Sequence, residues 1–77
     1  MNREKREILR CAVSLIHDAA GKIRSVEFSE QDAMDNMPEN LQYSDRYAAM
    51  ESAVDSLEEA EQKLEEAYDA VMEAISS

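Results

Sequence analysis

Apolar residues recur with the period of an α-helix through nearly the whole second half of the chain. The positions alternate steps of four and three residues over five heptads: Tyr43, Tyr47, Met50, Val54, Leu57, Glu61, Leu64, Tyr68, Val71 and Ile75. Among them only Glu61 is charged. Residues at this spacing lie on one face of a helix, so the pattern predicts one long amphipathic helix with an apolar seam.

A second run with the same period occupies the first half of the chain: Leu9, Ala12, Ile16, Ala19, Ile23, Val26, Glu30, Ala33 and Met37. Pro38 lies between the runs and disfavours helical conformation at the residue before it, while Ser44 is a good N-cap. We predict one all-α domain, an antiparallel coiled-coil-like hairpin with helix 1 at about 3–36, a turn at about 37–43 and helix 2 at about 44–75. Gly21 and Ser29 leave open a kink in helix 1.

Folding the chain about residue 40 sets large residues of one helix opposite small residues of the other. In this register Ala12 lies opposite Tyr68 and Ala19 lies opposite Glu61. Such complementarity suits interdigitated packing. Ala19 leaves room for the Glu61 side chain to reach solvent, or Glu61 sets the register as a polar seam residue does.

The charge is strongly acidic and unevenly distributed. Eighteen acidic residues outnumber eight basic ones, and the net charge of -10 argues against direct binding of nucleic acid through phosphate neutralisation. Residues 1–24 carry a net +3 and residues 25–77 a net -13. An antiparallel hairpin lays the basic start of the chain beside the acidic C-terminal part. No apolar stretch approaches the roughly 20 residues that span a bilayer, so we expect no membrane contact.

Few residues offer chemistry. Cys11 is the only cysteine and cannot form an internal disulfide, which fits a reducing compartment. No signal-peptide core follows the charged N-terminus, so we expect a cytoplasmic protein. His17 lies on the outer polar face, and Glu30 and Glu61 fall in different seam layers, so the Glu-x-x-His pairs of a di-metal bundle are missing. We expect no catalytic, cofactor or metal site and no enzyme; a catalytic or metal-dependent bundle is a distant alternative.

One flank of the seam is rich in small apolar residues. Helix 2 supplies Ala53, Ala60, Ala67 and Ala74, and helix 1 adds Ile8, Cys11 and Leu15. A lone hairpin leaves this flank in water. We therefore expect an oligomer interface here, most simply a homodimer forming a four-helix bundle. The alternative is that the alanines only favour helix formation on a solvated face.

The other flank and the outer face of helix 2 carry carboxylates: Glu51, Glu58, Glu59, Glu65 and Glu66. Such a surface attracts a basic protein partner. It also suggests an alternative function, an acidic nucleic-acid mimic or anti-defence inhibitor that occupies the basic groove of a host or phage protein. The simpler interpretation is a solvated face whose charge keeps the protein soluble.

The turn segment, residues 35–42, reads D-N-M-P-E-N-L-Q and is followed by acidic repeats such as V-D-S-L-E-E-A at residues 54–60. This stretch resembles small uncharacterised acidic proteins encoded in prophages and mobile elements of gut-type Gram-positive bacteria. The likeness covers about residues 33–67 and implies a mobile-element setting but no catalytic residues. Together these observations predict a small helical protein that acts through self-association and protein–protein contact.

Overall fold

Two long helices and one tight turn account for nearly the whole chain. A computed structural model describes all 77 residues, Met1–Ser77. Helix α1 spans Arg3–Asp35, helix α2 spans Asp45–Ser76, and a single 3-10 turn at Glu39–Leu41 lies between them. The helices pack side by side in a rod of 59 × 14 × 13 Å. The predicted all-α helical hairpin is confirmed.

Polar side chains cap the start of both helices. The Asn2 side chain accepts a hydrogen bond from the backbone N–H of Lys5 at 2.9 Å, and the Ser44 hydroxyl accepts one from the N–H of Tyr47 at 3.2 Å. These bonds satisfy N–H groups that have no partner within the helix. Beyond its cap, α1 continues past Ser29 without a break.

The turn is short because Pro38 ends the first helix and the next residues coil tightly. Pro38 has extended geometry, with φ -55° and ψ 142°, and its carbonyl accepts a hydrogen bond from the N–H of Leu41 at 2.8 Å. With α1 ending at Asp35 and α2 beginning at Asp45, the turn is centred on Asn40. Neither helix combines the length and the apolarity that crossing a membrane requires.

Arg6 joins the two helices at the end of the rod far from the turn. Its Nε donates to the carbonyl of Ile75 at 3.0 Å and its Nη2 donates to the carbonyl of Ser77 at 2.8 Å. The last carbonyls of a helix lack intrahelical partners and carry partial negative charge. Since α2 has no basic residue in its own last turn, α1 supplies the cation that stabilises this terminus.

The core is a single thin seam between the helices. Its buried side chains are Val13, Met34, Val54 and Ile75. On α2 the buried and half-buried residues follow the predicted positions from Tyr47 to Ile75. Tyr43 is the exception, with 95% of its surface exposed, because it precedes the N-cap of α2 and does not share the helical phase.

In the first half of the chain four of the nine predicted inward positions are displaced by one residue. The structure turns these four side chains into the seam: Val13, Ala20, Glu27 and Met34. In the predicted seam Val26 and Ala33 were inward, yet Val26 is 54% exposed and Ala33 is exposed as well. The displacement buries the larger side chains of Val13 and Met34 where the prediction placed alanines, which removes more apolar surface from water.

Two pairs that meet across the hairpin use α1 residues about one helical turn later in sequence than the predicted partners. Arg24 bonds Glu61, and His17 lies beside Tyr68. A helical side chain leans toward the N-terminus of its own helix. In an antiparallel pair the two side chains therefore lean in opposite directions, which offsets contacting residues along the rod. The predicted register set Ala19 opposite Glu61 and did not identify Arg24 as the residue that bonds Glu61.

Candidate functional site

An apolar flank runs along one side of the seam on both helices. It consists of the residue that precedes each heptad-spaced inward position: Ala12, Ala19, Val26 and Ala33 on α1, and Ala53, Ala60, Ala67 and Ala74 on α2. Because the helices run in opposite directions, the residue before an inward position lies on the same side of both. Four of these eight residues are half-buried and four are exposed. Their small side chains leave the two helices accessible to close approach.

Larger apolar side chains border the apolar flank on α1. Ile8 is 62% exposed and Leu15 is 69% exposed, and Cys11 is a free, exposed cysteine. Helical spacing places Ile8 and Leu15 on the side that also carries Ala12 and Ala19, whereas Cys11 lies on the face of α1 that points away from α2. Six of the seven residues predicted for an oligomer interface therefore lie on one side of the hairpin, and Cys11 lies outside that surface.

The opposite side of the seam is polar, and the two helices bring opposite charges to it. This polar flank consists of Arg10, His17 and Arg24 on α1 and of Glu51, Glu58 and Glu65 on α2. All six are exposed. Arg10 and Arg24 therefore lie along the same side as three of the five glutamates predicted to form an acidic partner surface.

The remaining predicted acidic residues, Glu59 and Glu66, lie on the face of α2 that points away from α1. Glu59 forms an ion pair with Lys63 at 3.0 Å, and more than half of each side chain is exposed. An exposed pair of this kind contributes little to stability. The five glutamates are accessible, but they do not form one continuous acidic face.

A charged cluster lies inside the seam, near the middle of the rod. The Nε of Arg24 donates to Oε1 of Glu61 at 3.0 Å, and only 14% of the Glu61 side chain is exposed. The Oε2 atoms of Glu61 and Glu27 are both shielded from solvent, and no other side chain or backbone group donates to them. A proton carried by one of the two carboxyl groups can therefore form a hydrogen bond between Glu27 and Glu61.

The proximity of the two carboxyl groups separates their pKa values. The hydrogen bond with Glu61 raises the pKa of Glu27 to about 7, with burial and the negative charges of Glu61 and Glu58 acting in the same direction and Arg24 opposing them. The hydrogen bond with Glu27, together with the one from Arg24, lowers the pKa of Glu61. Two adjacent carboxylates resist double ionisation. Below pH of about 7 the pair accordingly holds a proton, mainly on Glu27.

A shallow groove of about 370 Å³ opens beside this cluster, and its lining includes Ile16, His17, Ala20, Arg24, Leu64, Glu65, Tyr68 and Asp69. Because the Ala20 side chain is small, it does not fill this groove. The ring centroids of His17 and Tyr68 lie 6.4 Å apart with a tilt of 51°. Charged groups line both walls and the groove is open to water, so it does not enclose a small molecule.

The structure brings together no group of three or more His, Cys, Asp or Glu side chains that could hold a metal ion. The chemistry that its charged cluster offers is the uptake and release of a proton. Sequence reasoning identified Glu61 but not Arg24 or Glu27. The spacing of seven from Val13 through Ala20 to Glu27 was a usable signal, because it continues the inward face of α1.

Comparison with protein-family models, with curated proteins and with solved structures gives no match to this chain. The functional argument therefore rests on the apolar flank, the polar flank and the cluster in the seam.

Proposed function

We propose that this chain is a non-enzymatic helical protein that acts through self-association and protein–protein contact. Its first partner is a second copy of itself, which covers the apolar flank and completes a four-helix bundle. A two-fold pair of this kind uses the same surface on both subunits, so the surface must be compatible with its own copy.

The surface area of the hairpin is the observation that carries this proposal. The chain exposes 5860 Å², whereas a compact protein of its 8.7 kDa mass exposes about 4,700 Å². The excess, about 1,100 Å² per chain, exceeds the roughly 800 Å² that each partner contributes to a standard interface. Only four of the 77 residues are buried. A second copy supplies burial that the hairpin alone does not achieve.

Charge favours the apolar flank as the surface of contact. With a net charge of -10, two copies repel each other wherever carboxylates meet. The apolar flank contains no charged residue among its eight positions, and small side chains there allow close helix packing. Contact on this side buries apolar surface without desolvating carboxylates, which is costly when they are unpaired.

The alternative of an acidic nucleic-acid mimic draws less support. A net charge of -10 along a rod of 59 Å is about one charge per 6 Å, whereas duplex DNA carries one per roughly 1.7 Å. The cations Arg10 and Arg24 on the polar flank reduce the resemblance further. A basic protein partner remains part of the proposal as a weaker contact, one that should weaken with ionic strength.

The setting we propose is the cytoplasm of a cell that carries a prophage or mobile element. A lone exposed cysteine, Cys11, suits a reducing compartment. The likeness of the turn segment to prophage-encoded acidic proteins supports the mobile-element setting.

Sedimentation equilibrium with two matched variants tests the self-association. Leu15 and Phe28 are similarly exposed, at 69% and 61%, but helical spacing places Leu15 on the side of the apolar flank and Phe28 on the side of the polar flank. We expect twice the 8.7 kDa chain mass for the unmodified protein and for Phe28→Glu. We expect the single-chain mass for Leu15→Glu, because association would bury a charge without a partner.

A single-chain mass for the unmodified protein at high concentration would refute the proposal. Equal dissociation of both variants would show that added charge, and not the apolar flank, controls the assembly.

A further inference from the structure

The cluster of Arg24, Glu27 and Glu61 lies between the two helices of one chain, so the proposed self-association gives it no role. Its geometry is nevertheless specific. The Glu61 side chain is 14% exposed and bonds Arg24 at 3.0 Å. The Oε2 atom of each carboxyl group is shielded from solvent and has no other donor. Such oxygens are costly in a folded protein unless something bonds them.

We propose that one proton shared between Glu27 and Glu61 clamps α1 to α2 at the middle of the rod, and that its release to water loosens the hairpin there. The clamp makes the hairpin a pH-sensitive element. It acts within the single chain and does not require the second copy.

The surrounding charges explain why the pair needs this proton. Arg24, on α1, compensates the charge of one carboxylate, and its ion pair goes to Glu61. On α2 the additional group that acts on Glu27 is the acidic Glu58, and Glu65 lines the groove beside Arg24 and Glu61. A second ionised carboxylate in the pair therefore has no cation to balance it and faces further negative charge.

Linkage between protonation and folding fixes the direction of the pH effect. The pKa of Glu27 lies above its ordinary value of 4.5, at about 7. The folded chain therefore keeps a proton that the unfolded chain releases, and this contribution is full below about pH 4.5 and is lost as the pH rises through about 7. The pKa of Glu61 is lowered, so its contribution is present above its ordinary value and is lost in stronger acid.

The proton can be observed directly by a ¹³C NMR titration of the glutamate side-chain carboxyl groups in the full-length protein. We expect a titration midpoint near 7 for Glu27, well above its ordinary value of 4.5. A Glu27 midpoint equal to that of exposed glutamates such as Glu66 would overturn the proposal, whatever the stability of any variant.

Thermal unfolding of an isosteric variant then tests the clamp. The unmodified protein should lose thermal stability between pH 6 and pH 8.5, a range that spans the Glu27 pKa of about 7. Glu27→Gln, which stays neutral and keeps a donor, should lose most of that pH dependence and melt above the unmodified protein at pH 8.5. Glu66→Gln removes the same charge from an exposed position and should keep the dependence. If both variants behave alike, general charge repulsion explains the effect and the clamp is rejected.

Discussion

At the scale of single residues, the seam tolerates a carboxylate where a cation from the other helix meets it. Glu61 keeps its charge because Arg24 donates to it at 3.0 Å, while Glu27 beside it has its pKa raised to about 7. Two chemically identical side chains thus adopt different protonation states through their neighbours. The raised pKa of Glu27 is the main consequence of placing the two glutamates side by side in the seam.

Gly21 offers a residue-scale prediction for stability. It lies inside α1 with ordinary helical φ, and a Cβ added there would meet no atom within 4 Å. Gly21→Ala should raise the free energy of unfolding by about 1 kcal/mol, since alanine has the higher helix propensity. Urea unfolding at one fixed protein concentration measures it. An unchanged or lower value would mean that Gly21 has a role that its open surroundings do not reveal.

Residue-level contacts were the least predictable feature of the fold. The heptad pattern located Glu61 in the seam, but it gave Ala19 as the neighbour and missed Arg24 and Glu27. Spacing specifies the face of a helix and the level of a residue along it. It does not include the lean of side chains toward the N-terminus or the reach of a long side chain such as that of Arg24, and both affect which groups touch in an antiparallel pair.

At the scale of helices and turns, local signals were sufficient. Pro38 and Ser44 are the residues that end the first helix and begin the second, and the structure uses both. The pattern Ser29–Asp32, which resembles a capping box, goes unused because α1 continues through it. A capping signal without a breaking residue does not interrupt a helix whose apolar face is packed on a neighbour, since tertiary packing outweighs local preference.

Ser44 provides the prediction at this scale. Its hydroxyl accepts from the N–H of Tyr47 at 3.2 Å, so Ser44→Ala should cost about 1 kcal/mol of unfolding free energy. Ser52→Ala, at an exposed position inside α2, should instead stabilise by up to about 0.5 kcal/mol. Urea unfolding of the two variants measures both values. Equal effects of the two changes would show that Ser44 does not act as a cap.

At the scale of the whole molecule, the hairpin is a rod with a thin core and two unlike sides. The sequence identified the side rich in alanine, and the structure extends it, because the one-residue displacement on α1 adds Ala12, Ala19, Val26 and Ala33 to the flank. How a second copy is oriented does not follow from the chain. Contact on this flank allows the turns of the two copies to lie at the same end of the bundle or at opposite ends. The periodicity of one chain is the same in the two arrangements.

The concentration dependence of thermal unfolding tests the central claim, that the apolar flank of the hairpin is stabilised by a second copy. Binding that occurs only in the folded state raises the unfolding midpoint by mass action. Over about a hundredfold range of protein concentration, the midpoint of the unmodified chain should rise steadily, whereas Leu15→Glu should melt lower and show no dependence. A midpoint of the unmodified protein that stays constant across this range would contradict the account.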